Sequence, residues 1–478
     1  MKIHLIGIGG TGMGALAGLL KEAGHDVRGS DGPLYPPMST LLAQLGVPVF
    51  EGYRAANLDW QPDRVVVGNI CRVDHPEAAA ARERGLELTS FPALLSELFL
   101  ASRHVVVVAG THGKTTTASM MAHVLRTAGK DPGFLIGGIP LDLGRSFDLG
   151  GSSYFVVEGD EYDCAYFDKR PKFVHYRPGT VILTGIEFDH ADIYPTMAEV
   201  EQAFSMLLDA TPDRGRLVLW ADSPTALRLA RRRAGCAVET YSLVDSTADW
   251  TATAAPDAAG RQQVTVHREG REVTSFELRL TGAHNAANAL GVAAAALGLG
   301  VSREAVSEGL RTFTGVQRRQ EIRGVADGVT VIDDFAHHPT AVRETLAGLR
   351  RAFLGARENG APGGRLIAVF EPRSATSRRR VFQEAYVEAL RQADRAVIAG
   401  LHAPEGIPEE ERLDPAQVAR DLRTAGTEAN YLDSVDAIVE HLVAVARPED
   451  TVVVMSSGGF GGLIDRLLSA LRLRERQP

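Results

Sequence analysis

The residues best suited to chemistry lie in segment 110–117, Gly-Thr-His-Gly-Lys-Thr-Thr-Thr, directly after the apolar run 105–109. A strand that turns through glycines into a helix presents backbone amides to phosphate groups. Lys114 adds a cation for the β- and γ-phosphates, and the Thr115 hydroxyl suits Mg²⁺. Val108 stands where the common pattern G-x-x-x-x-G-K-[ST] has glycine, so the loop is shorter than usual. The segment predicts an ATP site, although a structural turn, a kinase or a motor would also explain it.

Acidic side chains and a histidine follow two further predicted strands. The strand at 154–157 leads to Glu158, and the strand at 181–183 precedes a polar segment that ends with His190. Carboxylate oxygens and an imidazole beside a triphosphate suit Mg²⁺, directly or through water. A solvated acidic loop would explain either segment alone, but their combination with the phosphate loop favours a metal site.

The N-terminal segment carries a second glycine loop. Gly7, Gly9, Gly10 and Gly12 follow a predicted strand in the pattern G-x-G-x-x-G, and Asp31 stands 19 residues beyond the last of these glycines. Such a loop brings backbone amides and a helix N-terminus close to a pyrophosphate. The pattern is compatible with a nicotinamide cofactor, a nucleotide-sugar diphosphate or a plain tight turn.

Four residues of the second half complete the candidate set. Asn285 stands at the start of a predicted helix, where its amide can read a base edge or cap the helix. Arg319 can reach a γ-phosphate across a cleft, or form a surface pair with its neighbour. Asp334 and His337 follow a strand in a cluster too polar for a core, and this cluster favours nucleotide or product contacts over a zinc site.

Strand-then-helix patterns that recur along the chain must position these side chains. Examples are a strand at 3–8 before a helix at 15–23, and a strand at 366–370 before a helix at 377–390. The alternation predicts an α/β protein with parallel sheets and helical crossovers. The length of 478 residues suits about three domains, which we place at 1–97, 98–314 and 315–478. The segment 262–280 predicts an antiparallel hairpin added to the central domain, and the Gly- and Pro-rich stretch 355–364 predicts a surface loop.

Composition excludes some classes of function. The net charge of −9, without long basic runs, argues against nucleic acid as the main partner. The three cysteines are widely separated and match neither paired metal spacing nor a disulfide framework, which suits a reducing compartment. The longest apolar candidate, 289–301, is shorter than the ~18 residues of a membrane span and predicts a buried helix.

In this order the segments resemble the Mur ligase family over nearly the whole chain. The resemblance is carried by segments 110–117, 158–163, 187–190, 284–288, 318–319 and 333–339. It implies an N-terminal Rossmann-like domain that binds a UDP-sugar, a central P-loop ATPase-like domain and a C-terminal Rossmann-like peptide-binding domain. It also implies a cytoplasmic bacterial enzyme of peptidoglycan synthesis that uses ATP and Mg²⁺.

The resemblance assigns roles to the motif residues. The catalytic residues would be Lys114, His190, Arg319 and His337. The ATP site would comprise Gly110, Thr111, His112, Gly113, Lys114, Thr115, Thr116, Asn285, Arg319 and Asp334. The UDP-sugar site would comprise Gly7, Gly9, Gly10, Gly12 and Asp31, and the metal ligands would be Thr115, Glu158 and His190.

Other stretches distinguish two branches that use UDP-N-acetylmuramate. One branch adds L-alanine, and the other reattaches the recycled tripeptide L-alanyl-γ-D-glutamyl-meso-diaminopimelate. Segments 35–40, 161–170, 371–374 and 456–462 resemble the second branch. In the first we expect serine at position 162, Tyr-Gly at 335–336 and Gln-Pro-His-Arg near 371. The resemblance implies the tripeptide substrate, with Arg373 as a peptide-binding residue, and leaves L-alanine ligation as the alternative.

The implied reaction activates the sugar carboxylate as an acyl phosphate, which the amine then attacks. Lys114 and Arg319 would stabilise charge on the transferring phosphoryl group. The C-terminal domain would close about a hinge near 313–315 and exclude water from the acyl phosphate. The sequence does not indicate an oligomeric state.

Overall fold

The computed structural model describes residues 1–190, 193–232, 235–257, 261–353, 364–405 and 407–476. Parallel strands joined by helices dominate each of three main sheets, so the predicted α/β class is confirmed. The predicted surface loop at 355–364 lies outside the described residues except for Gly364. Within the described parts of the chain, no helix combines the length and apolar character needed to cross a bilayer.

The N-terminal sheet is parallel throughout, with the order β3-β2-β1-β4-β5. Its first strand ends at Ile6, two residues earlier than its sequence pattern predicts, because Gly7 turns the chain with φ +80°. The following helix begins at Thr11. The elements are β1 (Lys2–Ile6), α1 (Thr11–Glu22), β2 (Asp26–Asp31), α2 (Met38–Gln44), β3 (Val49–Glu51), β4 (Arg64–Val67), α3 (Pro76–Glu83), β5 (Glu87–Ser90) and α4 (Phe91–Leu95).

The N-terminal sheet packs on the central one through a shared hydrophobic core. Leu16 and Leu19 of α1 belong to the same buried cluster as Val105 and Phe147 of the central sheet. The Phe147 ring lies directly over Gly18, where any side chain would overlap it. The glycine loop that precedes α1 is therefore held at a fixed place relative to the central domain.

The central sheet has the order β17-β16-β15-β14-β13-β12-β6-β9-β7-β8. Strands from β15 to β9 through β6 are paired in parallel, and β6 lies between β12 and β9. Its strands are β6 (His104–Ala109), β7 (Gly133–Leu135), β8 (Phe147–Asp148), β9 (Tyr154–Glu158), β12 (Thr180–Leu183), β13 (Arg216–Trp220), β14 (Ala237–Ser242), β15 (Trp250–Pro256), β16 (Gln262–Arg268) and β17 (Arg271–Leu278). A separate ribbon pairs β10 (Asp163–Ala165) with β11 (Asp168–Pro171).

Helices cover the central sheet, and the predicted hairpin extends its edge. The antiparallel pairing of β16 with β17 confirms the hairpin at 262–280, and β16 also pairs with β15. The apolar stretch near 289–301 falls largely within a buried helix, as predicted. The helices are α5 (Lys114–Thr127), α6 (Met197–Ala210), α7 (Pro224–Ala230), α8 (Ala283–Gly298) and α9 (Arg303–Thr312).

The C-terminal sheet has the order β18-β19-β23-β20-β21-β22, and only its edge pair β18-β19 is antiparallel within the described residues. Its elements are β18 (Glu321–Ala326), β19 (Val329–Asp334), α10 (Pro339–Phe353), β20 (Leu366–Phe370), α11 (Gln383–Leu390), β21 (Arg395–Ala399), α12 (Pro415–Thr424), β22 (Glu428–Leu432), α13 (Val435–Val445), β23 (Thr451–Met455) and α14 (Leu463–Glu475).

One helix of this sheet differs from its sequence pattern. The pattern predicts a helix from residue 377, but the α-helix begins at Gln383 after a short 3₁₀ turn, Arg380–Phe382. The hydroxyl of Ser374 accepts a hydrogen bond from the backbone N–H of Ser377 at 3.0 Å. This bond caps a single turn, which ends where Arg379 has an extended backbone and forms a β-bridge with Arg412. The segment after β20 is therefore a loop that faces the central domain.

Candidate active site

The phosphate loop lies between β6 and α5, at the carboxyl end of a central parallel strand. Gly110 and Gly113 have φ of +133° and +79°, values that residues other than glycine rarely adopt. A Cβ on Gly110 would lie 2.8 Å from the carbonyl oxygen of Gly185. Helix α5 begins at Lys114. The loop therefore aims the positive end of a helix dipole at the space above the strand ends.

Lys114 and His190 meet at one buried carboxylate, that of Glu161. The ammonium Nζ of Lys114 lies 3.0 Å from each carboxylate oxygen and donates to the Gly110 carbonyl at 2.7 Å. His190 Nε2 lies 2.9 Å from Glu161 Oε1, and its Nδ1 lies 2.8 Å from the Tyr162 hydroxyl. The Glu161 side chain is 3% exposed. Lys114 and His190, which are 76 positions apart in the chain, are thus brought together.

The pKa values of this cluster favour the charged forms. Burial alone would raise the pKa of Glu161, but Lys114 and His190 hold it below its usual range. Burial alone would lower the pKa of Lys114, but the attraction of Glu161 and neighbouring carboxylates raises it. The pKa of His190 is likewise raised against burial by its contact with Glu161. The cluster is therefore a buried network of ions that compensate one another.

Thr115 and Glu158 lie together beside this network. The Thr115 hydroxyl donates to Glu158 Oε1 at 2.9 Å, and Glu158 Oε2 accepts from the backbone N–H of Gly137 at 2.8 Å. Arg319 Nη2 lies 3.4 Å from the Thr115 hydroxyl, with its guanidinium 4.7 Å from the centre of the Phe335 ring. An arginine from beyond residue 315 therefore reaches the phosphate loop.

Loop 187–190 of the central domain contacts the C-terminal domain. The Thr376 hydroxyl donates to Asp189 Oδ1 at 2.5 Å, and Thr340 donates to Glu187 Oε2 at 2.7 Å. His338 donates through Nε2 to the Phe188 carbonyl at 3.2 Å. Burial lowers the pKa of His338 to about 4, so the imidazole is neutral at pH 7. The two domains are joined at the site by directional hydrogen bonds.

A cavity of about 330 Å³ opens on one side of the phosphate loop. Asn285 and Asp334 line it together with the loop residues 111–113 and Arg319. Asp334 is fixed by the backbone N–H groups of Gln320 and Ala336, each at 2.8 Å. Asn285 donates to the carbonyl oxygen of Thr281 at 2.7 Å. The volume and the polar groups of the lining suit a nucleotide.

A second cavity, of about 480 Å³, connects the N-terminal glycine loop with the phosphate loop. Gly10 and Gly12 line one end, while Lys114, His190 and His337 line the other. Burial lowers the pKa of His337 to about 4, so this imidazole is neutral at pH 7. The cavity can hold an elongated ligand whose reactive end approaches the phosphate loop.

Asp31 supports the glycine loop from behind. Its carboxylate accepts hydrogen bonds from the backbone N–H groups of Gly9 at 2.6 Å and Gly32 at 2.7 Å, and from the Tyr53 hydroxyl at 2.9 Å. A Cβ on Gly9 would lie 2.8 Å from Asp31 Oδ2. The geometry gives Asp31 a role in shaping the loop.

Arg373 is not one of the described residues that line either cavity. Its Nη1 lies 3.4 Å from His402 Nδ1 and 3.7 Å from Glu371 Oε1. Its guanidinium packs against Gly458, where a side chain would displace it. Arg373 therefore lies in the C-terminal domain next to the glycine-rich segment 456–462, with its side chain partly exposed.

Sequence reasoning missed three residues that organise this site. Glu161 belongs to the acidic run that begins at Glu158, but the pattern does not say which carboxylate faces the lysine. Asp189 lies beside His190 and carried the same ambiguity. Thr376 has no signal in the sequence, because its importance comes from a contact across 187 positions.

Models of the Mur ligase family match the three parts of the chain in order. The "Mur ligase family, catalytic domain" model matches residues 2–103, the "Mur ligase middle domain" model 108–296, and the "Mur ligase, glutamate ligase domain" model 318–458. Full-length relatives exceed 30% identity. The chain belongs to the Mur ligase family.

Within the family, the chain is similar to ligases that act on UDP-N-acetylmuramate. It is 41% identical, over 98% of both chains, to the UDP-N-acetylmuramate–L-alanyl-γ-D-glutamyl-meso-2,6-diaminoheptandioate ligase of Escherichia coli. It is 35% identical to the UDP-N-acetylmuramate–L-alanine ligase of Thermobifida fusca, over 98% of this chain and 96% of that protein. The crystal structure of a murein peptide ligase from Psychrobacter arcticus shares 38% identity and superposes with a TM-score of 0.72, covering 99% of each chain.

Proposed function

We propose that this chain is an ATP-dependent ligase that joins UDP-N-acetylmuramate to the tripeptide L-alanyl-γ-D-glutamyl-meso-diaminopimelate. The observation that carries the proposal is the meeting of two cavities at one phosphate loop. One cavity suits ATP, and the other runs to the N-terminal glycine loop, where a UDP pyrophosphate fits. Residues 111–113 and Arg319 border both cavities. A γ-phosphate and a sugar carboxylate would therefore meet beside Lys114.

The chemistry requires activation of a carboxylate, which is anionic and lacks a good leaving group. A carboxylate oxygen attacks the γ-phosphorus, the bond to the β-phosphate oxygen breaks, and ADP leaves. The tripeptide amine then attacks the acyl carbon, loses a proton and expels phosphate. Lys114 and Arg319 stabilise the charge on the transferring phosphoryl group, which is mainly a positioning and electrostatic task. Asn285 and Asp334 hold the adenine and ribose, and His337 lies where phosphate and acceptor meet.

The side chains at the loop fit Mg²⁺. A threonine hydroxyl and carboxylates offer hard oxygen donors at the end of a phosphate loop, and the Thr115 hydroxyl already lies 2.9 Å from Glu158 Oε1. We assign Thr115 and Glu158 to one ion and His190, which would give up its proton to bind, to a second. Bound Mg²⁺ would neutralise phosphate charge. Thr115, Glu158 and His190 would orient the triphosphate and exclude water from it.

The preference for tripeptide over L-alanine rests on two supports. Identity is higher to the tripeptide ligase of E. coli than to the alanine ligase of T. fusca. Arg373 stands where the alanine branch is expected to carry histidine, and a planar guanidinium suits the carboxylates that the tripeptide has and alanine lacks. The role is murein recycling, and a reaction that consumes ATP and a UDP-sugar implies the cytoplasm of a bacterium.

A substrate panel tests the proposal. Purified protein is supplied with ATP, Mg²⁺ and UDP-N-acetylmuramate, and ADP release is measured with the tripeptide, with L-alanine and without acceptor. We expect ADP release and a product of the tripeptide's added mass only with the tripeptide. The Lys114→Ala variant is the background control. Faster release with L-alanine would transfer the chain to the alanine branch, and no release with either acceptor would refute ligase activity.

A further inference from the structure

The hydroxyl of Thr376 lies at the contact between two domains. Thr376 follows β20 in the C-terminal domain and is 2% exposed. Its Oγ1 donates to Asp189 Oδ1 at 2.5 Å and accepts from the backbone N–H of His190 at 3.3 Å. Asp189 Oδ1 also accepts from the same N–H at 2.7 Å. One hydroxyl thus closes a small hydrogen-bonded ring around the backbone of His190.

The backbone of His190 needs this support. His190 has φ +55°, in the left-handed region that a side chain disfavours. Such conformations persist only where surrounding contacts impose them, and they cluster at functional sites. The imidazole is at the same time fixed by Glu161 and Tyr162. Backbone and ring are therefore held from different domains, because Thr376 belongs to the C-terminal domain.

The electrostatics of Asp189 strengthen the bond. Asp189 is 4% exposed. Its Oδ1 accepts from both the Thr376 hydroxyl and the His190 N–H, and a hydroxyl bond to a desolvated carboxylate is stronger than one between neutral groups.

Two other contacts join the same loop to the C-terminal domain, and they differ in what they reach. Thr340 bonds the Glu187 side chain, and His338 bonds the Phe188 carbonyl. Both hold the loop near the C-terminal domain. The bond from Thr376 is the one of these three that reaches the backbone of His190.

We propose that Thr376 is a positioning residue that couples the seating of the C-terminal domain to the active conformation of His190. When the domain moves away, Asp189 and the His190 N–H lose their shared partner, and the left-handed backbone relaxes. The imidazole then leaves Glu161. The proposal rests on the proposed function for its kinetic consequence, while its structural consequence is independent of any reaction.

The test compares three threonine variants. Thr376→Val keeps the shape and removes the hydroxyl, Thr376→Ser keeps the hydroxyl, and Thr424→Val makes the same change at an exposed position of the C-terminal domain. We expect hydrogen–deuterium exchange of the amides of 187–190 to rise about 10–100-fold in Thr376→Val, from the loss of a hydrogen bond to a charged group. Exchange in Thr376→Ser should stay within about 3-fold of wild type, and Thr424→Val should match wild type.

Turnover gives the second measurement. In Thr376→Val we expect kcat to fall about 10–100-fold while KM for ATP changes about 2-fold or less, since the nucleotide cavity is untouched. Thr376→Ser should restore kcat. Unchanged exchange in a folded Thr376→Val, or an equal rise in both Thr376 variants, overturns the proposal. If Thr376→Val raises exchange but the wild-type protein itself shows no ligase activity, the result counts against the proposed function and supports the coupling. If valine prevents folding, Thr376→Ala gives the same comparison with less bulk.

Discussion

Replacing Lys114 with methionine separates the two tasks of the buried ion cluster. Methionine keeps the length and apolar stem of lysine but removes the ammonium that lies 3.0 Å from both oxygens of Glu161. Glu161 is then left in a 3% exposed position with His190 as its remaining ionic partner. We expect a loss of stability in the central domain and, separately, a loss of phosphoryl transfer.

The magnitude follows from removing one partner of a buried pair. Such a change costs about 3–5 kcal/mol, because the other charge stays buried and undercompensated. For a domain of this size, that corresponds to a fall in melting temperature of about 10 °C. ADP release should fall by about 10²–10³-fold or more, since the lysine is the proposed contact of the transferring phosphate.

The stability loss should depend on pH. The lowered pKa of Glu161 contributes stability that is present above its unfolded value and is lost as the pH falls through its folded value. Without Lys114 this pKa rises, so protonation at low pH relieves the uncompensated charge. The raised pKa of His190 contributes stability that is present below its unfolded value and is lost as the pH rises through its folded value. In Lys114→Met the charged imidazole therefore still compensates Glu161 at pH 5 but does so less at pH 8. The melting-temperature difference should be larger at pH 8 than at pH 5.

Differential scanning calorimetry of wild type, Lys114→Met, Glu161→Gln and the double variant measures these terms. The double variant removes the buried charge with the lysine, so most of the lost melting temperature should return while ADP release stays at background. A double variant no more stable than Lys114→Met would refute the ion-pair reasoning. Normal ADP release by Lys114→Met would refute the assignment of Lys114 to the phosphates.

Two further variants test the outer domains. In steady-state kinetics, Arg373→Ala should raise KM for the tripeptide by about 10-fold or more while KM for ATP stays near normal. The same change at the exposed Arg380 is the control. An equal rise in both KM values would contradict a role of Arg373 in peptide binding. Glu77→Ala should lower the free energy of unfolding of the N-terminal domain by about 3–5 kcal/mol. The Glu77 carboxylate is 0% exposed and accepts hydrogen bonds from Ser30 and Asn57, which would lose their partner. An N-terminal calorimetric transition at the wild-type temperature would contradict this prediction.

Local pattern was enough to predict the fold class and the loops that end strands. Apolar runs of the length of a strand, such as residues 105–109 of β6, are buried, and a glycine loop can be recognised because positive φ favours glycine. The helix after β20 begins six residues later than its sequence pattern predicts, because Arg379 has an extended backbone and forms a β-bridge with Arg412. Such a pairing is decided by geometry that composition does not contain.

The site divides in the same way. Lys114 and Thr115 stand in one short motif and are readable because their spacing is fixed by a single turn. Glu161 was lost among neighbouring carboxylates, because only the path of the chain after β9 decides which one faces the lysine. Thr376 is beyond any local pattern, since its partner comes from another domain. Contacts of this kind require the three-dimensional arrangement.

The arrangement of Glu161 also has a consequence for how ATP would bind. Lys114 is already desolvated by the fold and paired with Glu161. A γ-phosphate would therefore replace Glu161 as the anionic partner of Lys114, and no hydrated ammonium would have to be desolvated. The exchange leaves Glu161 buried beside His190 with less positive charge, which is unfavourable unless a cation enters with the nucleotide. We therefore expect nucleotide and Mg²⁺ to bind with positive cooperativity, and Glu161→Gln to weaken that coupling in calorimetric titrations. Independent binding in the wild type would mean that Glu161 keeps the lysine when ATP is bound.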